Sequence, residues 1–242
     1  MCECLYSWRM TGKQFTSVWI REPRKATSPG RSREEIVRAA VEMLDGEGLG
    51  GLSMRKLGAR LSAGATSLYW YVANKDELLE LAYDEVWAEM TVPDPDRVGW
   101  RDSASALAYS MRRVVLRHPW SADLIGRLPA LGPHAMGVAD RMRKMFRAAG
   151  FTGVDIDFAN ATLTAYVFGM TIPEIAWNTA MGDQGYDAGE MRAAVAKAAA
   201  DHPDMLERIN MAGYDDPQAM REMCFDFGLV SVLDGLERRL AT

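Results

Sequence analysis

No stretch of the chain approaches the roughly 18 consecutive apolar residues that a membrane-spanning helix requires, so no membrane-spanning helix is expected. Cysteine is nearly absent, with Cys2, Cys4 and Cys224 the only three among 242 residues. They are too few and too scattered for a disulfide framework and read as reduced thiols, and Cys2 with Cys4 lacks the second ligand pair of a zinc site. Histidine is as scarce: His118, His134 and His202 have no group of convergent ligands around them, so no metal is expected. There is no P-loop, no dinucleotide glycine fingerprint, no H-E-x-x-H helix, no G-x-S-x-G elbow and no pair of Glu-x-x-His motifs. The chain is therefore not expected to be an enzyme, with no catalytic residue and no cofactor. No segment alternates convincingly with period two, which leaves an all-α fold. The first residues lack the apolar core and small-residue cleavage site of a signal peptide, which points to the cytoplasm. A net charge of -5 excludes a protein that coats nucleic acid without selectivity.

What is present is helical and locally basic. Hydrophobic side chains make up 48% of the chain, enough for one small and one larger domain. Between Arg21 and Lys75, ten basic residues stand against six acidic ones. Ser32 followed by Glu35 has capping-box spacing, and Ile36, Ala39, Ala40, Met43 and Leu44 then recur at helical intervals until glycines 46, 48, 50 and 51 end the run. Ser53 reads as the N-cap of a second helix from about Met54, with Leu57 and Leu61 packed and Arg55, Lys56 and Arg60 facing elsewhere. Gly64 has the freedom to turn the chain in a left-handed conformation. A short helix follows, about Ala65 to Tyr71, and Asn74 caps a longer one from Lys75 to about Met90, whose first-turn acids Asp76, Glu77 and Glu80 suit a helix N-terminus.

Two helices about a tight turn form a helix-turn-helix, in which the start of the second helix meets base edges while flanking hydroxyls and cations hold phosphates. Thr66, Ser67, Tyr71 and Ala65 are assigned to base edges, and Tyr69, Trp70, Arg55 and Lys75 to phosphates. The competing reading makes Leu68, Tyr69 and Trp70 a small core. Three adjacent bulky side chains cannot all point inward from one helix, and exposed aromatics beside cations favour DNA.

Residues Ser32 to Val86, and TSLYWYVANKDELLELA above all, resemble the DNA-binding domain of the tetracycline-repressor (TetR) family. The resemblance carries the operator-binding role onto Arg55, Thr66, Ser67, Tyr69, Trp70, Tyr71 and Lys75. The tetracycline repressor opens its recognition helix with Gln-Pro where this chain has Ala65-Thr66, so a different operator is implied. The expected organisation is a mobile N-terminal arm at 1–30, a DNA-binding domain with its linking helix at 31–90, and a ligand-binding and dimerisation domain at 91–242. The boundary falls at Thr91 to Gly99, where prolines break the helical pattern.

Beyond it, helical patterns run from Trp100 to His118, Ser121 to Leu128, Pro133 to Ala149, Val154 to Met181, Ala188 to Ala200, Pro203 to Met211 and Pro217 to Leu240. Trp100-Arg101, LRHPW, RAAGF and GLVSVLDGLERRL resemble the family's C-terminal domain more loosely. That resemblance implies a four-helix dimer interface from Val154 to Met181 and Pro217 to Leu240, with Phe225, Leu229, Val232, Leu233 and Leu236 as the stripe of the latter. It also implies an effector pocket, for which Met111, Leu124, Phe146, Tyr166, Met170 and Trp177 are the candidates and Asn178 the polar contact. Flexible thioethers and aromatics mould around a largely apolar small molecule, although ordinary packing uses the same residues. The scarcity of histidine sets the chain apart from a binder of metal-bound tetracycline. Its expected partners are thus a double-stranded DNA operator, a small-molecule effector and a second copy of itself. As a homodimer it would place recognition helices on half-sites about 34 to 36 Å apart and release them when ligand binds. The contrasting reading is a protein of the same fold that is silent toward DNA and acts through its pocket or a protein partner.

Overall fold

The structure is a computed structural model that describes residues 17–21, 32–181, 187–210 and 217–240. Cys2, Cys4 and the Arg24-Lys25 pair lie outside the described residues, as does most of the expected arm. The described residues form helices and no strand, and the chain divides into two compact units.

The N-terminal unit holds the residues up to Glu85 together with Gly126–Met136. Helix α1 (Arg33–Gly51) starts on the capping box: Ser32 accepts from the Glu35 amide and Glu35 reaches back to Ser32. Gly48 interrupts it with φ 65°, a left-handed conformation that glycine adopts at no steric cost. Helix α2 (Met54–Arg60) is capped by Ser53, which accepts from Lys56 N. Helix α3 (Ala65–Leu68) is shorter than the expected run to Tyr71, because the chain passes into turns that bond Tyr71 N and Val72 N to the Leu68 carbonyl. The left-handed residue between α2 and α3 is Ser62, at φ 50°, while Gly64 is extended at φ -65°. The amides of Ser62 and Ala63 donate to Ala59 O and Gly58 O, the paired closure of a Schellman motif, and that pairing fixes the left turn two residues before the glycine. Helix α4 (Lys75–Ala88) begins as expected, with Glu77 N donating to Asn74 Oδ1 at 2.8 Å. Ile36, Leu44, Leu57, Leu68 and Leu78 are fully buried and make the core.

Two further segments join this unit. Residues 17–21 of the expected mobile arm include a 3-10 turn, Val18–Ile20, held on α4: Ser17 Oγ and Val18 N both donate to Glu80, at 2.5 and 3.0 Å. Glu77, buried, accepts from Ala73 N and pairs with Arg33. Asp84, also buried, accepts from His134 N and Ala135 N at 3.2 and 2.9 Å. A Cβ at Gly132 would overlap the Asp84 carboxylate. The expected boundary at residue 90 therefore divides the sequence in a different place from the fold, which brings a mid-chain segment back to α4.

The C-terminal unit comprises Val86–Ile125 and the residues from Gly137 on. The proline-rich break is itself ordered by α5 (Pro95–Val98), with Asp94 as N-cap, and is tied to α6 (Trp100–Arg117) by Ser103 Oγ donating to Pro93 O at 2.6 Å. The helix expected over Ser121 to Leu128 is instead a 3-10 turn, Pro119–Asp123, followed by turns. Gly126 takes φ 79°, a left-handed conformation that a right-handed helix cannot contain, so a regular helix is broken inside the expected range. Then come α7 (Pro133–Ala149), α8 (Asp155–Met181), α9 (Ala188–Ala198), α10 (Pro203–Asn210) and α11 (Pro217–Leu240). Helices α6, α8 and α11 pack on one another. Arg101 of α6 pairs with both Asp234 and Glu237 of α11. Among the described residues no helix is long and apolar enough to cross a membrane.

Candidate nucleic-acid interface and effector site

Around α3 the apolar anchor and the candidate DNA-contacting groups differ in burial. Leu68 is 1% exposed, whereas Tyr69 is 46% and Trp70 64% exposed. Leucine alone supplies the apolar anchor, so the two aromatics are presented outward, against the reading of the cluster as a small core. Thr66 and Ser67 are exposed on the same short helix, Ser67 Oγ donating back to Gly64 O at 2.6 Å, and Tyr71 is half-buried. Ala65 opens the helix.

The cations divide by what holds them. Lys56 and Arg60 are tied to Glu47 and Glu42 of α1 at 2.7 and 2.8 Å, while Arg55 is exposed and forms no ion pair among the described residues. Lys75 is half-buried and donates from Nζ to Leu49 O at 2.9 Å, closing a carbonyl near the end of α1. Arg55 is thus the cation of α2 that stays available to a phosphate. Lys75 is engaged by its own fold.

In the C-terminal unit the candidate effector residues fall into separate groups. Phe146 is buried against Trp100 and Phe151, with ring centroids at 6.3 and 5.7 Å. Met111 and Leu124 are buried. Tyr166, Met170, Trp177 and Asn178 follow one another at helical spacing along α8, the first two half-buried and the last two exposed. Tyr166 meets Phe225 of α11, ring to ring at 5.5 Å, and its hydroxyl donates to Phe225 O at 2.6 Å. That approach needs Gly228, where a Cβ would come within 2.6 Å of the Tyr166 hydroxyl.

The same face of α8 carries a residue that the sequence did not single out. Glu174, between Met170 and Trp177, is buried and pairs with Arg112 of α6 at 2.6 Å and with Arg221 of α11 at 3.5 Å. Arg112 also lies over the Phe225 ring, 5.1 Å from its centroid. One turn away, the Tyr109 hydroxyl donates to Asp226 at 2.7 Å, and this hydrogen bond, helped by burial, pushes the phenol up to about 12. Burial also pushes the Tyr166 phenol up. Helical periodicity marks apolar stripes, and these charges sit 62 residues apart in sequence, so their pairing carried no signal.

The unit also has an outer cleft of about 500 Å³, lined by Val92 to Asp96 on one side and Arg141, Lys144 and Arg147 on the other. None of the candidate effector residues lines it.

The chain matches the sequence model of the bacterial regulatory proteins of the TetR family over residues 36–82, and that of the tetracycline repressor-like C-terminal domain over residues 92–240. It belongs to the TetR family. A transcriptional regulator of Saccharopolyspora erythraea is 42% identical over 69% of the chain and 75% of its own length. The repressor DrrR1 of Streptomyces coeruleorubidus is 34% identical over 90% of the chain and 81% of its own. Among solved structures, the TetR-family protein ActR of Streptomyces coelicolor in complex with actinorhodin superposes with a TM-score of 0.74 at 26% identity, covering 88% of this chain and all of that one. The chain described here is a TetR-family DNA-binding transcriptional regulator.

Proposed function

We propose that this regulator works in the cytoplasm as a homodimer, setting α3 of each protomer in successive major grooves of a pseudopalindromic operator and letting go when a small molecule occupies the C-terminal unit. The observation that carries the DNA half is the outward pair Tyr69 and Trp70 beside Thr66 and Ser67, on a helix anchored by Leu68 alone. Thr66, Ser67, Tyr71 and Ala65 read base edges. Tyr69, Trp70 and Arg55 hold phosphates, with Lys75 bracing the end of α1 beside them.

The dimer reading is supported by two apolar stripes left exposed on neighbouring helices. One runs from Val154, just before α8, to Phe158, Ala161 and Ala165 on it, and the other is Met223, Phe227 and Val230 on α11, each set at helical spacing. The stripe expected on α11 lies on its other face: Phe225, Leu229, Leu233 and Leu236 are buried within the protomer. Periodicity finds an apolar stripe but not the surface it meets, and α11 has two.

For the effector, the face of α8 running from Tyr166 through Met170 to Trp177 and Asn178 is the proposed contact surface, with Phe225 opposite. Ligand and operator affinities are then reciprocally coupled. Selection of sites from a random duplex pool with the full-length protein, followed by titration over a salt series, tests the reading. A two-fold symmetric consensus with a steep salt slope is expected. Folded dimer that enriches no sequence would overturn it in favour of a DNA-silent protein acting through its pocket or a partner.

A further inference from the structure

Where α6, α8 and α11 meet, two guanidinium groups face one carboxylate. Glu174 is 4% exposed and accepts from Arg112 Nη2 at 2.6 Å, while its other oxygen lies 3.5 Å from Arg221 Nε. The Arg112 side chain is 12% exposed. The nearby Asp226 accepts from the Tyr109 hydroxyl and brings a second carboxylate to the cluster, and Arg221 Nη2 donates to Gln218 Oε1 at 3.3 Å. Among the described residues, neither Arg112 Nε nor Arg221 Nε has a hydrogen-bond acceptor.

Such a cluster is not explained by stability. Taking ions out of water costs as much as their pairing returns, and well-packed apolar side chains at such positions do as well or better. Buried donors left without acceptors make the cost higher still. That deficit is met by an oxyanion. The guanidinium fork is suited to receive one with two parallel hydrogen bonds, and the aromatic rings of Phe225 and Tyr166 stand next to it.

We propose that the effector is an anion: a largely apolar, ring-bearing molecule whose carboxylate, sulfonate or acidic phenol is received by Arg112 and Arg221. This rests on the reading that the effector binds along α8. Glu174 is then a built-in counter-ion, holding the two guanidiniums in position and competing with the incoming acid. The outer cleft is the poorer receptor, since Lys144 is already paired with Asp140 at 2.7 Å and Asp94 and Asp96 face it from the opposite wall.

Two fluorescent probes with the same ring system, anilinonaphthalene sulfonate and the neutral phenylnaphthylamine, separate charge from apolar fit when titrated into the full-length protein at one fixed ionic strength. The sulfonate is expected to bind at least about tenfold more tightly, as a charge-assisted contact in a partly buried site gives. Arg112→Gln is expected to abolish that preference, and Arg147→Gln in the outer cleft is expected to change the affinity of neither probe. Glu174→Gln removes the competitor and is expected to tighten the sulfonate several-fold, a readout that stands even if Arg112→Gln fails to fold. Equal binding of both probes to the wild type overturns the anionic specificity and leaves the α8 site intact. Binding of neither overturns both. A preference that survives Arg112→Gln and is lost with Arg147→Gln, or a Glu174→Gln protein with unchanged affinity, also overturns the proposal.

Discussion

At the scale of single residues, neighbouring side chains of the recognition segment have opposite jobs, and substitution separates them. Leu68 is enclosed and Trp70 is 64% exposed, though they stand two positions apart. Leu68→Ala is expected to cost about 2 to 5 kcal/mol of stability through the cavity it leaves. Trp70→Ala is expected to leave the thermal midpoint essentially unchanged and to weaken operator binding at least about tenfold, in line with hot-spot aromatics. Thermal unfolding and a binding titration on the same preparations decide it; a Trp70→Ala protein that melts early would make the indole a core residue. The sequence made this division legible because three bulky neighbours at the end of one short helix cannot share one buried side. It did not make Arg112 and Glu174 legible, since a buried ion pair across two helices leaves no mark on the periodicity of either. Phe146 and Tyr166 share aromatic character but pack against different partners, Trp100 and Phe151 for one and Phe225 for the other.

Helix boundaries were readable wherever the interaction is local. Ser32 with Glu35, Ser53 and Asn74 each satisfy amides within three residues, so their spacing alone predicts the starts of α1, α2 and α4. Endings were harder. The turn between α2 and α3 uses Ser62 at φ 50° rather than the glycine two residues on, because the closing hydrogen bonds to Gly58 O and Ala59 O dictate which residue bends left. An L-residue pays about 1 kcal/mol or more there, so Ser62→Gly is expected to stabilise the protein by about 0.5 to 1 kcal/mol. Gly64 is extended with open space around its Cα, so Gly64→Ala is expected to be tolerated in thermal unfolding. The reverse pattern, a costly Gly64→Ala and a neutral Ser62→Gly, would return the left-handed turn to the glycine. The missing helix after Ser121 has the same lesson: the left-handed Gly126 falls inside the expected run and leaves too few residues before it for a regular helix.

At the scale of the whole molecule, association is the property that the surface announces. Phe227 is 78% exposed and Phe158 55%, each in a stripe of apolar neighbours. Phe227→Glu is expected to shift sedimentation from dimer to monomer and to remove high-affinity operator binding with it, since one protomer reaches only one half-site. A dimer that persists at micromolar concentration would place the interface elsewhere. The sequence pointed to the two helices that carry these stripes but took Phe225, Leu229 and Leu233 as the outward stripe of α11, the face that its own protomer covers. Fold class was legible throughout, because helical periodicity and the absence of alternation agree across the chain.

Asp84 receives its amides from His134 and Ala135, some fifty residues downstream, beside a glycine that no larger side chain can replace. The operator-reading module is thus written in two separate passages of the gene. A chimaera made by a single crossover after residue 90 would inherit the acceptor from one parent and the donors from the other. Exchanging sensors among such regulators while keeping the operator therefore calls for a graft with two seams, one that carries Gly126–Met136 along with the head it completes.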